Sequence, residues 1–236
     1  MRKSRILLMA CALLFAMALS IPLSAQKKTG DKELTIEELF LKSVEFQILR
    51  EKAFSEDYDM KMSALDDLDK KINDGSVGDN AAQVQFVLEY LSLEGTARMV
   101  RENKRQINYF PEVRRRAANM LGKLGTPEAQ KALINVLLGD VEPMVKAEAA
   151  YGIGSIGLNE NNEATQAIAF AYDKEDPSKP DNNYAFAVAL AMEKLGKKSG
   201  VKDPAAYRTL VKIAQGNYIR SVKLKAMQVL ESMKNQ

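Results

Sequence analysis

One helix-sized motif occurs twice in the middle of the chain, and it restricts what the chain can fold into. Residues 111–125 read PEVRRRAANMLGKLG and residues 143–157 read PMVKAEAAYGIGSIG. Pro111, Val113, Arg114, Ala117, Ala118, Leu121, Leu124 and Gly125 fall on Pro143, Val145, Lys146, Ala149, Ala150, Ile153, Ile156 and Gly157, a step of 32 residues. The intervening TPEAQKALINVLLGD has the cap, proline and apolar spacing of a further helix. A fixed step of this size carried by a helix pair is the signature of a solenoid, whose units bury their apolar faces only by stacking.

The pattern extends outward with less regularity. Gly95 lies 30 residues before Gly125, and Gly196 lies 39 residues after Gly157. The turn-rich loop of residues 176–183 accounts for the longer step. Gly125, Gly157 and Gly196 suit left-handed helix stops. Asp203-Pro204 opens a helix as Thr126-Pro127 does, and Tyr218 to Met233 forms the last one. Before the repeats, Thr35-Ile36-Glu37-Glu38 reads as a capping box for a helix to about Phe54, with Ile36, Leu39, Phe40, Val44 and Ile48 on its apolar stripe. Met60, Ala64, Leu65, Leu68 and Ile72 mark a second stripe, and Ala81 to Leu93 a third helix. These signals predict about eleven helices and no strands over residues 34–236, arranged as a single helix and then pairs closing near Gly95, Gly125, Gly157, Gly196 and the C-terminus. Gly152 and Gly154 fall inside a helix, where each costs roughly 1 kcal/mol; close backbone packing is the expected reason.

Residues 1–25 read as a secretory signal peptide. Arg2, Lys3 and Arg5 precede an apolar run of about 16 residues, short of the roughly 20 that span a bilayer. Ser24-Ala25 then offers a cleavage point, and residues 26–33 a flexible lead-in. Export to the periplasm, or beyond the cell, is expected, with no membrane span after cleavage. Cys11 is the one cysteine and lies within the leader, so the mature chain would hold itself together without disulfides. The leader carries three of the 34 basic residues and none of the 31 acidic ones, so the remainder is balanced. Net charge therefore gives no reason to expect nucleic acid. Charge is nonetheless uneven along the chain: residues 31–79 are acidic, and residues 98–123 form a basic band.

On the motif at residues 111–125, its echo at 143–157 and a weaker copy from Tyr184 to Gly196, the chain resembles the HEAT-repeat family, in particular the short repeats also found in phycobilisome lyases. The resemblance implies a right-handed α-solenoid of stacked antiparallel helix pairs, with the second helices lining a concave surface that usually binds another protein. Ala185 departs from the pattern, standing where Arg114 and Lys146 carry a base.

The chain contains no histidine, which removes the usual general base and a common metal ligand. No catalytic, cofactor or metal residues are assigned. Asp66, Asp67 and Asp69 sit one to three apart on a helix and do not all converge, so a solvated face is expected of them. The spacing Gly152-x-Gly154-x-x-Gly157 fits a dinucleotide fingerprint only superficially, because no strand precedes it. Arg114 is expected in a structural ion pair. Arg115, Arg116, Asn119 and Lys123, with Glu148 and Tyr151 on the aligned helix, point away from the apolar seam. They are the candidate partner-binding residues, and a plain solvated face is the other reading of them. Tyr109, Phe110, Tyr184 and Phe186 are read as core or staple aromatics. The expected function is a non-enzymatic protein-binding scaffold. The alternatives are a lyase-like accessory subunit and nucleic-acid binding through residues 98–123.

Overall fold

Proline opens and glycine closes the central helices. In the computed structural model, which describes residues 35–201 and 203–234, the helices are α1 (Ile36–Phe54), α2 (Tyr58–Asn73), α3 (Ala81–Ser92), α4 (Pro111–Leu124), α5 (Pro127–Gly139), α6 (Pro143–Ile156), α7 (Glu163–Asp173), α8 (Asn182–Ser199), α9 (Pro204–Gln215) and α10 (Arg220–Lys234). The leader of residues 1–25 and the lead-in of 26–33 lie outside the described residues. The chain divides into two compact units between Lys42 and Ser43, and the architecture below is that of the second.

Helices α4 and α6 start with proline at the first helical position, where the missing N–H is no loss. They end at Gly125 and Gly157, whose φ of 71° and 78° is the left-handed stop that glycine adopts without a Cβ penalty. The Thr126 hydroxyl caps α5 by accepting from the Ala129 N–H at 3.0 Å, and Asp203 caps α9 by accepting from the Ala205 N–H at 2.7 Å.

Two layers of helices result. In the second layer, α2, α4, α6, α8 and α10 pack each on the next; in the first layer, α3, α5, α7 and α9 do the same. The pairs α3/α4, α5/α6, α7/α8 and α9/α10 join the layers, an all-α solenoid arrangement. Between them lies a continuous core that includes Leu65, Leu68, Leu88, Leu121, Leu133, Ile153, Ile168, Val188 and Ile213, all fully buried.

Small residues set the spacing within the second-helix layer. A Cβ on Gly122 would lie 3.0 Å from the Gly152 Cα, and one on Gly154 would lie 2.6 Å from the Ala191 Cα. Helix backbones therefore approach at these two crossings more closely than any side chain allows, which is why the sequence tolerates glycine inside α4 and α6.

The structure corrects several expectations. Ten α-helices are present among the described residues, and a two-stranded antiparallel hairpin stands where the eleventh was expected: β1 (Arg101–Glu102) pairs with β2 (Arg105–Gln106). Its two-residue loop, Asn103-Lys104, has φ of 48° and 67°, the left-handed pair that matches hairpin twist. Gly95, with φ of 71°, lies in the turn past α3, a first-layer helix capped at Leu93, so its likeness to Gly125 is local and not a repeat step. Aligned instead by helix starts, the second-layer helices begin at Tyr58, Pro111, Pro143, Asn182 and Arg220. Gly196 lies buried inside α8, which runs on to Ser199. Ala64, Leu65 and Leu68 are buried as the second stripe predicts, but Ile48 and Met60 are exposed, whereas Leu49, Ala53 and Lys61 are buried.

Candidate functional site

The fourth residue of each second-layer helix organises the joints between pairs. In α2, α4 and α6 it is Lys61, Arg114 and Lys146, all buried. Each reaches a carboxylate just past the end of the following first-layer helix. Lys61 Nζ lies 3.1 Å from Glu94, Arg114 Nε lies 2.6 Å from Asp140, and Lys146 pairs with Glu175. Each cation also sits over a tyrosine ring, at 5.4 Å for Lys61 on Tyr90, 5.0 Å for Arg114 on Tyr109 and 5.0 Å for Lys146 on Tyr184. Arg114 adds a bond from Nη1 to the Glu94 carbonyl at 3.0 Å, linking two successive rungs. The structural ion pair expected of Arg114 is thus one rung of a ladder. Lys61, Glu94, Asp140 and Glu175 were not identified from sequence, although a base at the fourth helical position with an acid past the next helix was the available signal.

The exposed side of the same layer carries the candidate binding residues, in two different settings. On α4 they are engaged in ion pairs. Arg116 lies 2.6 Å from Asp66 and Lys123 lies 2.6 Å from Asp69, both across to α2. Arg115 lies 2.7 Å from Glu112 and 3.4 Å from Glu148 on α6, and Asn119 Nδ2 donates to Glu148 Oε1 at 2.8 Å. The Lys123 ammonium holds the Asp69 carboxyl below its ordinary range, and Arg115 does the same to Glu112. Asp67 turns the other way, to Lys52 at 2.8 Å. The three aspartates of α2 are therefore joints to two neighbouring helices. The basic band of residues 98–123 is correspondingly divided: Arg114 is buried, three further bases are paired along α4, and Arg101, Lys104 and Arg105 lie on the hairpin.

From α6 onward the same face turns apolar. At the places where α4 carries Glu112, Arg115, Arg116 and Asn119, α6 carries Met144, Ala147, Glu148 and Tyr151, and α8 carries Asn183, Phe186, Ala187 and Leu190. Arginine has given way to alanine, and a groove of about 590 Å³ opens, continued on α10 by Ile219 and Val222. Ala147 and Ala187 are nearly covered, whereas Met144, Tyr151 and Ile219 are 46 %, 40 % and 57 % exposed. Lys194 stands over the Tyr151 ring at 4.4 Å. Of the candidate residues, Glu148 and Tyr151 line this groove, whereas Arg115 and Asn119 border it through Glu148 and Arg116 and Lys123 face α2. Phe186, Leu190 and Ile219 were missed as groove residues; the step of 39 residues that aligns α8 with α6 would have found the first two.

Among the described residues there is no cluster of three or more acidic or thiol side chains placed to hold a metal ion, and no helix long and apolar enough to cross a membrane. Gly152 and Gly154, the glycines of the superficial dinucleotide spacing, are occupied by packing against Leu133 and Ala191.

Residues 107–180 match the family model for HEAT repeats. The chain contains HEAT repeats. The matched stretch begins just past the hairpin's second strand and runs through α4, α5, α6 and α7, so it covers the two rungs of Arg114 and Lys146 and the α6 wall of the groove. No curated protein matches the chain. The two helix layers continue on both sides of the match, through α2 and α3 before it and through α8, α9 and α10 after it.

Proposed function

We propose that this chain is an exported, non-enzymatic HEAT-repeat scaffold whose groove between α6 and α10 receives a short apolar segment of a partner protein. HEAT repeats commonly mediate protein binding, and the leader-like residues 1–25 support an envelope location, the periplasm above all. One observation carries the choice of surface. Along a single face, paired charges on α4 give way to exposed Met144, Tyr151 and Ile219 around a hollow floored by alanines. An apolar pocket bordered by polar groups is the usual form of an anchor site. The Arg115–Glu148 pair and Lys194 at its border suit a segment with polar residues flanking its apolar anchor.

The test is site-specific photocrosslinking in the native cell, with the crosslinking residue at Tyr151 or at exposed Leu138 on α5. The expected result is a discrete adduct from position 151, absent from position 138, and lost when Ala147→Arg fills the groove. That substitution places on α6 the residue α4 already carries as Arg115, so the fold should accept it. An adduct from 138 alone, or one indifferent to Ala147→Arg, would refute the assignment.

A further inference from the structure

The ladder stops where a pocket begins. The fourth residue of α8 is Ala185, and past the end of α9 stands Gly216, so the fourth rung lacks both base and acid. Next to this gap is a cavity of about 390 Å³ lined by Tyr172, Tyr184 and Tyr218 and by the loop of residues 175–181. Tyr172 and Tyr218 hydrogen-bond through their hydroxyls at 2.9 Å. Tyr184 is 1 % exposed, yet its hydroxyl has no hydrogen-bond partner among the described residues. A buried hydroxyl without a partner is costly to keep. Phenylalanine would fill the same space without that cost.

Four carboxylates line the cavity, Asp173, Glu175, Asp176 and Asp181, against two lysines, Lys179 and Lys212. Glu175 is held by Lys146, and Asp173 by Lys212 at 2.7 Å. Asp176 and Asp181 accept only from N–H and O–H donors: the Ser178 N–H and hydroxyl for the first, and the Tyr184 N–H for the second. Their charge is not cancelled by a base. The wall thus combines tyrosine rings, a free hydroxyl acceptor and surplus negative charge. In this molecule that combination of ring and carboxylate holds a cation three times over, at Lys61, Arg114 and Lys146.

We propose that the cavity binds an organic cation, an ammonium or guanidinium group, which supplies from outside the base that Ala185 lacks. The N–H groups of the ligand would donate to the Tyr184 hydroxyl, and its charge would lie against tyrosine faces and the Asp176–Asp181 side. Burial pushes the Tyr172 and Tyr184 hydroxyls up, which keeps both neutral and available near pH 7. The site shares no lining residue with the groove, and the proposal stands independently of the groove's role.

Titration calorimetry of the purified chain with butylguanidinium tests this, with pentanoate as the anion of similar size. Saturable binding of butylguanidinium and none of pentanoate is expected. Tyr184→Phe should weaken that binding about fivefold, the worth of one hydrogen bond, while raising the thermal midpoint of the unliganded protein. A merely structural role for the hydroxyl would lower the midpoint. Absence of saturable butylguanidinium binding at millimolar concentration, equal binding of pentanoate, or undiminished binding by Tyr184→Phe would each overturn the proposal. Comparison with acetyl-Gly-Arg-Gly-amide separates the sources: tighter binding of the peptide assigns the site to an arginine side chain of a protein, and weaker binding to a free cation.

Discussion

Replacing Arg114 with methionine should be among the most damaging single changes available in this fold. The guanidinium is fully buried, and the side chain of its partner Asp140 is 1 % exposed. Methionine keeps much of the volume but leaves Asp140 without its counter-ion and the Glu94 carbonyl without its donor. Breaking a buried pair from one side costs about 3–5 kcal/mol, because the surviving charge stays buried and uncompensated. With a urea dependence of about 2 kcal/mol per molar, the unfolding midpoint should fall by roughly 2 M. Arg116→Met supplies the internal comparison. It removes a pair whose members are 22 % and 60 % exposed, worth below about 1 kcal/mol. The double change Arg114→Met with Asp140→Leu should recover most of the loss, since neither charge then remains. It should still lack the bond from the Glu142 N–H to Asp140, 2.9 Å in the native chain, at about 1 kcal/mol. Equilibrium urea unfolding followed by circular dichroism at 222 nm, roughly the helix minimum, reads all three. If Arg114→Met costs no more than Arg116→Met, or the double change costs the sum of its parts, the ladder is not a set of compensated buried charges.

Three more outcomes follow from the same structure. Gly154→Ala should destabilise by about 1–3 kcal/mol in urea unfolding through overpacking, since its Cβ would stand 2.6 Å from the Ala191 Cα, whereas Gly139→Ala meets nothing within 4 Å and should be neutral or stabilising. Lys104→Gly should stabilise by about 1 kcal/mol by relieving a left-handed non-glycine residue with φ of 67°; unchanged stability would show that the hairpin contributes little. Asp69, Glu112 and Glu193 are all held below their ordinary carboxylate range, chiefly by hydrogen bonds from Lys123, Arg115 and Lys225. The stability they contribute is therefore fully present above the ordinary carboxylate values and is lost as pH falls through the depressed folded ones. Urea midpoints from pH 7 to pH 3 should show that decline, and 1 M salt, where the screening length is roughly 3 Å, should flatten it.

The parts of the fold that were legible in sequence are those punctuated by backbone chemistry. Pro111, Pro143, Gly125 and Gly157 restrict φ directly, so α4 and α6 begin and end where they were expected. Where hydropathy alone marks a helix, its buried face is left undetermined. The helix of Ile36–Phe54 offers apolar residues in neighbouring rows, and periodicity could not tell that Leu49 and Ala53 face the core while Ile48 faces water. The hairpin was hidden because Arg101, Glu102, Arg105 and Gln106 show no apolar alternation and its turn has Asn-Lys in place of Asn-Gly. The site was half legible. Outward positions on α4 and α6 follow from repeat register, but attention to charge favoured Arg116 and Lys123, which are joined to α2. The hollow depends on what is missing, side-chain bulk at Ala147 and Ala187, and appears only once three helices are laid side by side.

The ladder also bears on how such a chain can change length. Its rungs are defined by place within helices, while the starts of the second-layer helices are separated by unequal stretches of chain. The extra residues collect in the connections inside pairs, as the Asn103-Lys104 hairpin and the loop of residues 174–181. A segment added at the hairpin tip, or in the loop after Glu175, leaves every base opposite its acid, and closing a longer surface loop costs only about 0.6 kcal/mol per doubling. A segment added within α5, between Arg114's helix and Asp140, would swing the acid around the helix and break the rung. The array therefore measures itself by helical phase and not by residue number. Insertions such as a reporter peptide between Asn103 and Lys104 should be accepted, and lineages of this chain should vary most at those two connections.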